Sequence, residues 1–158
     1  MSNTQSMATS FLGELMTATH NFGASPIRAA STADTFKAAL FLASATINAA
    51  TTAYSTTGEV TGTGYTAGGV TVTNATAPTS TNSSATAGVG YWTPSASFVY
   101  TTVTLSTAFD AVLVYNSTQS NKAVSVHTFG SQTITAGTFT LTMPSNTTTT
   151  ALLRLATT

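Results

Sequence analysis

The residues able to perform acid–base chemistry are few in this sequence and are widely spaced. They are four carboxylates and two imidazoles, at Glu14, His20, Asp34, Glu59, Asp110 and His127. A Ser, His and Asp combination is numerically available, because Asp110 and His127 lie in segments that are expected to form adjacent strands. No serine, however, stands inside a Gly-X-Ser-X-Gly motif, which would hold it as an exposed nucleophile. The sequence therefore predicts a protein that is not an enzyme and has no catalytic residues.

Metal and cofactor sites are equally poorly supported. His20 and His127 are far apart in the chain and have no nearby carboxylate cluster, which makes a weak case for a transition-metal site. Cysteine is absent, so neither thiolate ligands nor disulfides are available. The stretch GTGYTAGG, from Gly62 to Gly69, superficially resembles a dinucleotide-binding loop, but a Val/Thr strand follows it where a phosphate site requires a helix. We therefore predict no metal and no cofactor.

The glycine-rich stretch is instead predicted to be a structural loop. Residues 57–69 hold five of the eleven glycines, and turns with positive φ favour glycine because it lacks a Cβ atom. The residues assigned to this loop are Glu59, Gly62, Gly64, Tyr65, Gly68 and Gly69. Glu59 is the only acid between Lys37 and Thr107, and a buried charge needs a partner. Our hypothesis is that an ion pair of Glu59 with Lys37 or Arg154 anchors the loop.

The composition favours association with other proteins. Charged residues make up 5% of the 158 residues, whereas about a quarter is usual for a soluble domain. The formal net charge is zero, so the chain lacks the excess of Lys and Arg that binding to nucleic acid phosphates requires. The abundant threonine is β-branched and suits half-buried strands. With 42% hydrophobic residues, the chain is long enough to bury one packed core, and its weakly charged surface does little to repel neighbours.

No segment of the sequence predicts export or insertion into a membrane. The start, MSNTQSMATSFLGELM, has no positively charged region ahead of an apolar stretch, as a secretory signal has. The longest apolar run, residues 38–50, is interrupted by Ser44, Thr46 and Asn48 and is shorter than the roughly 20 apolar residues of a membrane span. We therefore expect an unexported protein without a membrane partner.

From Asp34 onward, short apolar runs separated by Gly, Asn, Pro and Ser predict an all-β domain over residues 34–158. DTFKAALFLAS, from Asp34, fits a helix or a strand, and we predict a strand. FDAVLVYNS, from Phe109, is the clearest strand because it is apolar on both faces. Residues 138–143 alternate between threonine and apolar side chains, and Ala136-Gly137 is predicted as a hairpin loop. Seven or eight strands in total indicate a single β-sandwich, of jelly-roll or immunoglobulin-like topology.

The first 33 residues are predicted to form a separate N-terminal arm. Phe11, Leu12, Leu15 and Met16 have the spacing of an apolar helical stripe, although Gly13 weakens a short helix. Such an arm packs either on its own domain or on a neighbouring subunit, and the sequence does not decide between them. The candidate interface residues are Phe11, Leu12, Leu15, Met16, Tyr91 and Trp92.

Four stretches of the β domain carry recognisable motifs. They are DTFKAAL from Asp34, TTAYSTTGEVTGTGYTAGGVTVTN from Thr51, FDAVLVYNSTQSNKAVSVHTFGSQTITAGTFTLTMP from Phe109, and the ending ALLRL from Ala151. Together they resemble a family of small virion structural proteins of tailed bacteriophages. The resemblance covers about residues 34–155, and its most specific parts are TTGEVTGTGYTAGG and the YNS…KAV…FGS…GTFT pattern.

The resemblance implies a virion component, and we expect a capsid decoration or cement protein on the outside of the head. Its implied partners are the major capsid protein and further copies of itself, in a homo-oligomer. Its implied location is the capsid surface, after synthesis in the cytoplasm of the bacterial host. Such a protein would bridge neighbouring capsid subunits and resist internal pressure, with modest contacts repeated over the lattice.

Two alternatives remain open at this point. The first is another virion position, as a collar, tail or fibre-attachment protein. The second is a carbohydrate-binding or adhesive β-sandwich module, in which Tyr65, Tyr91, Trp92 and Tyr100 would supply stacking surfaces. An exposed, coplanar pair of Trp92 and Tyr91 beside polar groups would favour sugar binding.

Overall fold

The computed structural model describes residues 3–8, 11, 15, 19–22, 33–73, 77–81 and 88–156. These residues form an all-β fold of two antiparallel sheets, which confirms the predicted β-sandwich. The strands are β1 Ser6–Met7, β2 Phe36–Leu42, β3 Val70–Thr71, β4 Thr79–Ser80, β5 Val89–Trp92, β6 Phe98–Asn116, β7 Lys122–Leu141 and β8 Leu153–Ala156. The large sheet has the order β1-β7-β6-β2-β3, and the small sheet has the order β4-β5-β8.

A long hairpin of β6 and β7 forms the centre of the large sheet. The two strands meet at a turn over residues 117–121, where Ser120 and Asn121 adopt left-handed φ values of 53° and 58°. β2 pairs with β6 only between Phe109 and Asn116. There β6 is buried on both faces, as its apolar sequence predicts. The remaining part of the hairpin extends beyond β2 as a two-stranded ribbon.

The small sheet packs on the large one through aromatic side chains. Trp92 in β5 is 2% exposed. Its ring centroid lies 4.8 Å from that of Phe22, and Phe22 in turn stacks on Phe36 at 4.3 Å. Because these rings come from β5, the N-terminal segment and β2, one core joins the two sheets.

The predicted hairpin at Ala136-Gly137 is wrong. Both residues lie inside β7, where Gly137 pairs with Val103 and Ile134 pairs with Leu105. β7 therefore carries one extra residue between these pairs, and Ala136 takes a φ of 45°. This irregularity is a β-bulge, which shares its small residues and positive φ with a hairpin turn. The local sequence signal is the same for both, and only the partner strand distinguishes them.

The described residues of the N-terminal segment pack against the β domain. β1 pairs with β7, Ser6 with Val126 and Met7 with Ser125. Phe11 is 2% exposed within the core. Phe11 and Leu15 have helical backbone geometry, whereas the rest of the predicted stripe, at Leu12 and Met16, lies outside the described residues. Within the part of the chain that the structure describes, no helix is long and apolar enough to cross a membrane.

Candidate functional site

The most concentrated polar site is built around the buried carboxylate of Glu59, which is 6% exposed. The hydroxyl of Tyr54 donates a hydrogen bond of 2.6 Å to Oε2. The hydroxyl of Tyr65 and the backbone N–H of Gly68 each donate one of 2.7 Å to Oε1. We call these four residues the Glu59 cluster. Three donors directed at one carboxylate can offset much of the cost of burying its charge.

The backbone around Glu59 is held against the edge of β2. The N–H of Leu42 donates to the carbonyl of Gly58 at 2.9 Å, and the N–H of Val60 donates to the carbonyl of Leu40 at 3.0 Å. Glu59 itself forms an isolated antiparallel bridge with Phe41. The glycine-rich stretch therefore adds a short extra strand to the large sheet, and this pairing positions the carboxylate.

The tyrosine hydroxyls extend the network to the central strands. The hydroxyl of Tyr65 also accepts a hydrogen bond of 3.0 Å from the N–H of Leu40. Tyr115 in β6 donates to the carbonyl of Gly68 at 2.9 Å, and its ring stacks on Tyr54 with centroids 4.5 Å apart. Tyr100 donates to the carbonyl of Ala38 at 2.7 Å. The loop is thus tied to both β2 and β6 by side chains that a local reading of the sequence does not connect.

Burial and the charge of Glu59 keep these phenols protonated. Desolvation, and secondly the neighbouring Glu59 carboxylate, raise the pKa values of Tyr54, Tyr65 and Tyr100 well above the ordinary value of 10.0. The same two causes raise the pKa of Tyr115 to about 12. Each hydroxyl is therefore a neutral hydrogen-bond donor at neutral pH. The arrangement suits a fixed structural network rather than proton transfer.

The glycines of the loop are required by close backbone contacts. Gly64, Gly68 and Gly69 have φ values of 78°, 89° and 73°, as the tight-turn interpretation predicts. A Cβ atom on Gly62 would overlap the carbonyl oxygen of Thr104, and one on Gly64 would overlap that of Thr102. Thr63 also bridges to Thr104. The loop therefore lies directly against β6, which leaves no room for side chains at these positions.

The hypothesis that Glu59 forms an ion pair with Lys37 or Arg154 names the wrong partners. The carboxylate is buried and anchors the loop, but tyrosine hydroxyls and an amide bind it. Arg154 instead donates from Nη1 to the carbonyl of Thr148 at 3.2 Å. The sequence feature that could have predicted these partners is the position of Tyr54 and Tyr65 on either side of Glu59. A phenol can donate a hydrogen bond to a carboxylate without introducing a second charge.

Sequence reasoning missed a second buried polar cluster, centred on Asp34 and Asn116. Asp34 Oδ2 accepts hydrogen bonds of 2.9 Å from the Asn116 side chain and from the backbone N–H of Asn21. The Asn116 amide nitrogen also lies 3.1 Å from Nδ1 of His20. These residues join the N-terminal segment to the start of β2 and the end of β6. Their sequence separations leave no local pattern from which to predict the contact.

A third polar group lies in a cleft between β7 and the segment before β8. Nε2 of His127 lies 2.8 Å from the hydroxyl of Ser125. The cleft has a volume of about 420 Å³ and is also lined by Gln5 and Arg154. Ser125 is only 2% exposed. Asp110, the acid of the Ser, His and Asp combination considered from the sequence, accepts a hydrogen bond from Asn3. A hydroxyl with so little exposure is poorly placed to attack a substrate.

The environment of His127 predicts acid sensitivity. Desolvation lowers its pKa from 6.5 to about 4, so the unfolded chain binds a proton more readily than the folded protein between these values. The resulting stabilisation is complete above about pH 6.5 and is lost as the pH falls towards 4, by roughly 1–3 kcal/mol for a partly buried ring. Urea unfolding of wild type and His127→Gln from pH 7 to 4 measures this loss. An equally steep loss in both proteins would contradict the assignment to His127.

Two of the four predicted interface residues that the structure describes lie in the core. Phe11 and Trp92 are each 2% exposed and belong to the core, while Leu15 and Tyr91 are half-buried. Leu12 and Met16 are outside the described residues. The hydroxyl of Tyr65 binds Glu59 within the loop, and the hydroxyl of Tyr100 binds the carbonyl of Ala38 in β2. Phe11 and Trp92 thus pack the core rather than offering a surface to a partner.

Comparisons with known proteins provide no relative. No family model matches the sequence, and neither a curated protein nor a solved structure matches it.

Proposed function

We propose that this protein is a structural component of a tailed-bacteriophage virion that decorates the outside of the head and bridges neighbouring capsid subunits. The observation that carries the proposal concerns TTGEVTGTGYTAGG, the most specific part of the family resemblance. This stretch forms the loop in which Glu59 binds Tyr65 and Gly68. The motif that carries the resemblance thus forms an internal hydrogen-bond network that holds the loop together. Such a network is expected in a family of structural proteins.

The organisation of the fold supports a mechanical role. The Glu59 cluster holds the loop together, and the bonds of Tyr65 to Leu40 and of Tyr115 to Gly68 tie that loop to β2 and β6. Hydrogen bonds of Asp34 with Asn21 and Asn116 join the N-terminal segment to β2 and β6. Such bonds between distant parts of the chain are strong where water is excluded. A protein that bridges capsid subunits under internal pressure needs this resistance to local opening.

The surface composition supports repeated contacts with protein. With 5% charged residues and a net charge of zero, the protein offers little electrostatic repulsion to a neighbour, and it lacks the excess of Lys and Arg that binding to nucleic acid requires. Many exposed positions carry threonine, which can form hydrogen bonds across an interface. On a capsid lattice, contacts that are weak singly become effective through multivalency.

The sugar-binding alternative has less support. Trp92 is buried against Phe22, so it cannot provide a flat exposed platform together with Tyr91. The collar, tail and fibre-attachment alternatives share the same architecture and differ from a decoration protein in copy number.

The number of copies per particle tests the proposal. We expect quantitative mass spectrometry of purified phage to find one copy per major capsid protein, or a simple fraction such as about one third, as lattice-wide multivalent binding requires. A tail protein from the same particles serves as the internal low-copy reference. A few to a few dozen copies would indicate a neck or tail protein, and absence from the particle would overturn the virion proposal.

A further inference from the structure

The outer edge of β7 is open over most of its length. β1 covers this edge at Ser125 and Val126. Beside it, the N–H of Ala8 donates to the carbonyl of Val124, and the N–H of Ala123 donates to the carbonyl of Thr52. From Thr128 to Leu141, no strand within the described ranges pairs with β7 on the side away from β6. Backbone N–H and C=O groups that alternate along such an edge are available to another strand.

The regular part of this edge runs from Gly137 to Leu141. Phe139, Thr140 and Leu141 pair in continuous register with β6, and Gly137 pairs with Val103. The bulge at Ala136 interrupts the edge on one side. We call residues 137–141 the open edge. Five residues match the usual length of a strand, so this edge can accept one ordinary strand.

The open edge carries neither a charged residue nor a proline. Between Lys122 and Arg154 the chain contains no Lys, Arg, Asp or Glu, and its first proline after the edge is Pro144. Proteins usually protect exposed edges with such residues, because a charge or a proline prevents edge-to-edge association. The bulge at Ala136 limits the accessible length. A second register shift lies opposite Thr138, but its extra residue belongs to β6, so β7 itself has no extra residue between Gly137 and Leu141.

We propose that two copies of this protein associate through their open edges, antiparallel, about a two-fold axis at Phe139. In this register Thr138 of each copy lies opposite Thr140 of the other. Both threonines are exposed and face the same side of the strand. Cross-strand threonine pairs are favourable, and like charges directly opposite would be unfavourable. The pairing does not depend on the virion role proposed above. The number of copies per phage particle therefore tests that role and not the pairing.

The side chains of the open edge favour a second copy as the occupant. On one face Thr138 and Thr140 are exposed, and on the opposite face Phe139 and Leu141 are only half-buried. A second copy in the proposed register would place threonine beside threonine on one face and the two Phe139 rings opposite each other on the other. An uncharged, self-complementary edge meets this requirement without a separate partner.

Charge reversal across the two-fold axis tests the proposal. We expect wild type to show a monomer–dimer equilibrium at roughly 10 µM to 1 mM in sedimentation equilibrium, because a five-residue edge buries less than a standard interface. T138K/T140K places lysine opposite lysine twice and should weaken dimerisation by about tenfold to thirtyfold. T138K/T140E places lysine opposite glutamate twice and should restore association to within about threefold of wild type.

Two controls separate register from net charge and from folding. T61K/T66K adds the same charge at exposed loop positions and should leave dimerisation unchanged. Hydrogen exchange on wild type needs no variant and should show concentration-dependent protection at residues 137–141. The proposal is overturned if wild type stays monomeric at about 1 mM, if that protection is independent of concentration, or if T138K/T140E dissociates like T138K/T140K.

Discussion

Gly69→Ala is expected to destabilise the protein by roughly 3–5 kcal/mol, which would leave much of the chain unfolded at 37 °C. Gly69 has a φ of 73°, where an alanine is strained by about 1–2 kcal/mol before any contact is counted. A Cβ atom there would also overlap the carbonyl oxygen of Ala38 and lie 2.6 Å from Cα of Ala39. Both obstacles are backbone atoms of the buried strand β2, so they cannot move aside as a flexible side chain would.

Gly130→Ala is the matched control for this substitution. Gly130 lies in β7, and a Cβ atom there would meet no other atom within 4 Å. We expect its free energy of unfolding to stay within about 0.5 kcal/mol of wild type. Urea unfolding monitored by circular dichroism compares the two variants. Similar stabilities would show that the loop can move away from β2, contrary to the close packing described here.

Glu59→Gln is expected to destabilise the protein by about 2–3 kcal/mol, although it preserves the shape of the side chain. The carboxylate accepts from Tyr54, Tyr65 and the N–H of Gly68. The amide group of glutamine is itself a donor and would face at least one of these donors, which leaves a buried polar group unsatisfied. Removing a buried charge offsets part of the loss, so the effect stays below that of deleting all three bonds.

Asp110→Asn is the matched control for the loss of a carboxylate. Asp110 is half-buried and accepts a hydrogen bond from Asn3 through one side-chain oxygen, which asparagine also provides. We expect a change below about 1 kcal/mol in the free energy of unfolding. A Glu59→Gln variant as stable as Asp110→Asn would mean that the Glu59 cluster contributes little to the fold.

The tyrosines of the Glu59 cluster, together with Tyr115, which binds Gly68, also predict that the protein loses stability in alkali. The pKa of Tyr115 is raised to about 12 in the folded protein, against about 10 in an unfolded chain. Tyr54 and Tyr65 shift in the same direction. The stabilisation is therefore fully present below pH 10 and is lost as the pH rises through the folded pKa values. In a Tyr91→Phe variant, which removes the tyrosine that lies outside this network, tyrosinate absorbance should appear together with unfolding, and its gradual appearance in the folded variant would contradict the buried network.

The sequence by itself determined the fold class and several of its parts. The alternation of threonine and apolar residues predicted a strand at 138–143, and the doubly apolar run from Phe109 predicted the central strand, because side-chain alternation is a local property of a strand. Glycine density predicted the positive-φ loop near Glu59, because only glycine adopts that geometry without strain. These signals lie within a few residues of the structure that they predict.

Only the tertiary structure decided which distant residues meet. The residues Ala136-Gly137 fit a hairpin loop when they are considered alone. Their position beside Val103 and Leu105 of β6 makes them part of a bulge within β7. Asn116 binds Asp34 across 82 positions of sequence, and no periodicity connects them. The same holds for the burial of Phe11 and Trp92, whose neighbours come from other segments. Contacts of this kind depend on how the whole chain closes its core, since a side chain's partners are fixed by packing and not by its neighbours in sequence.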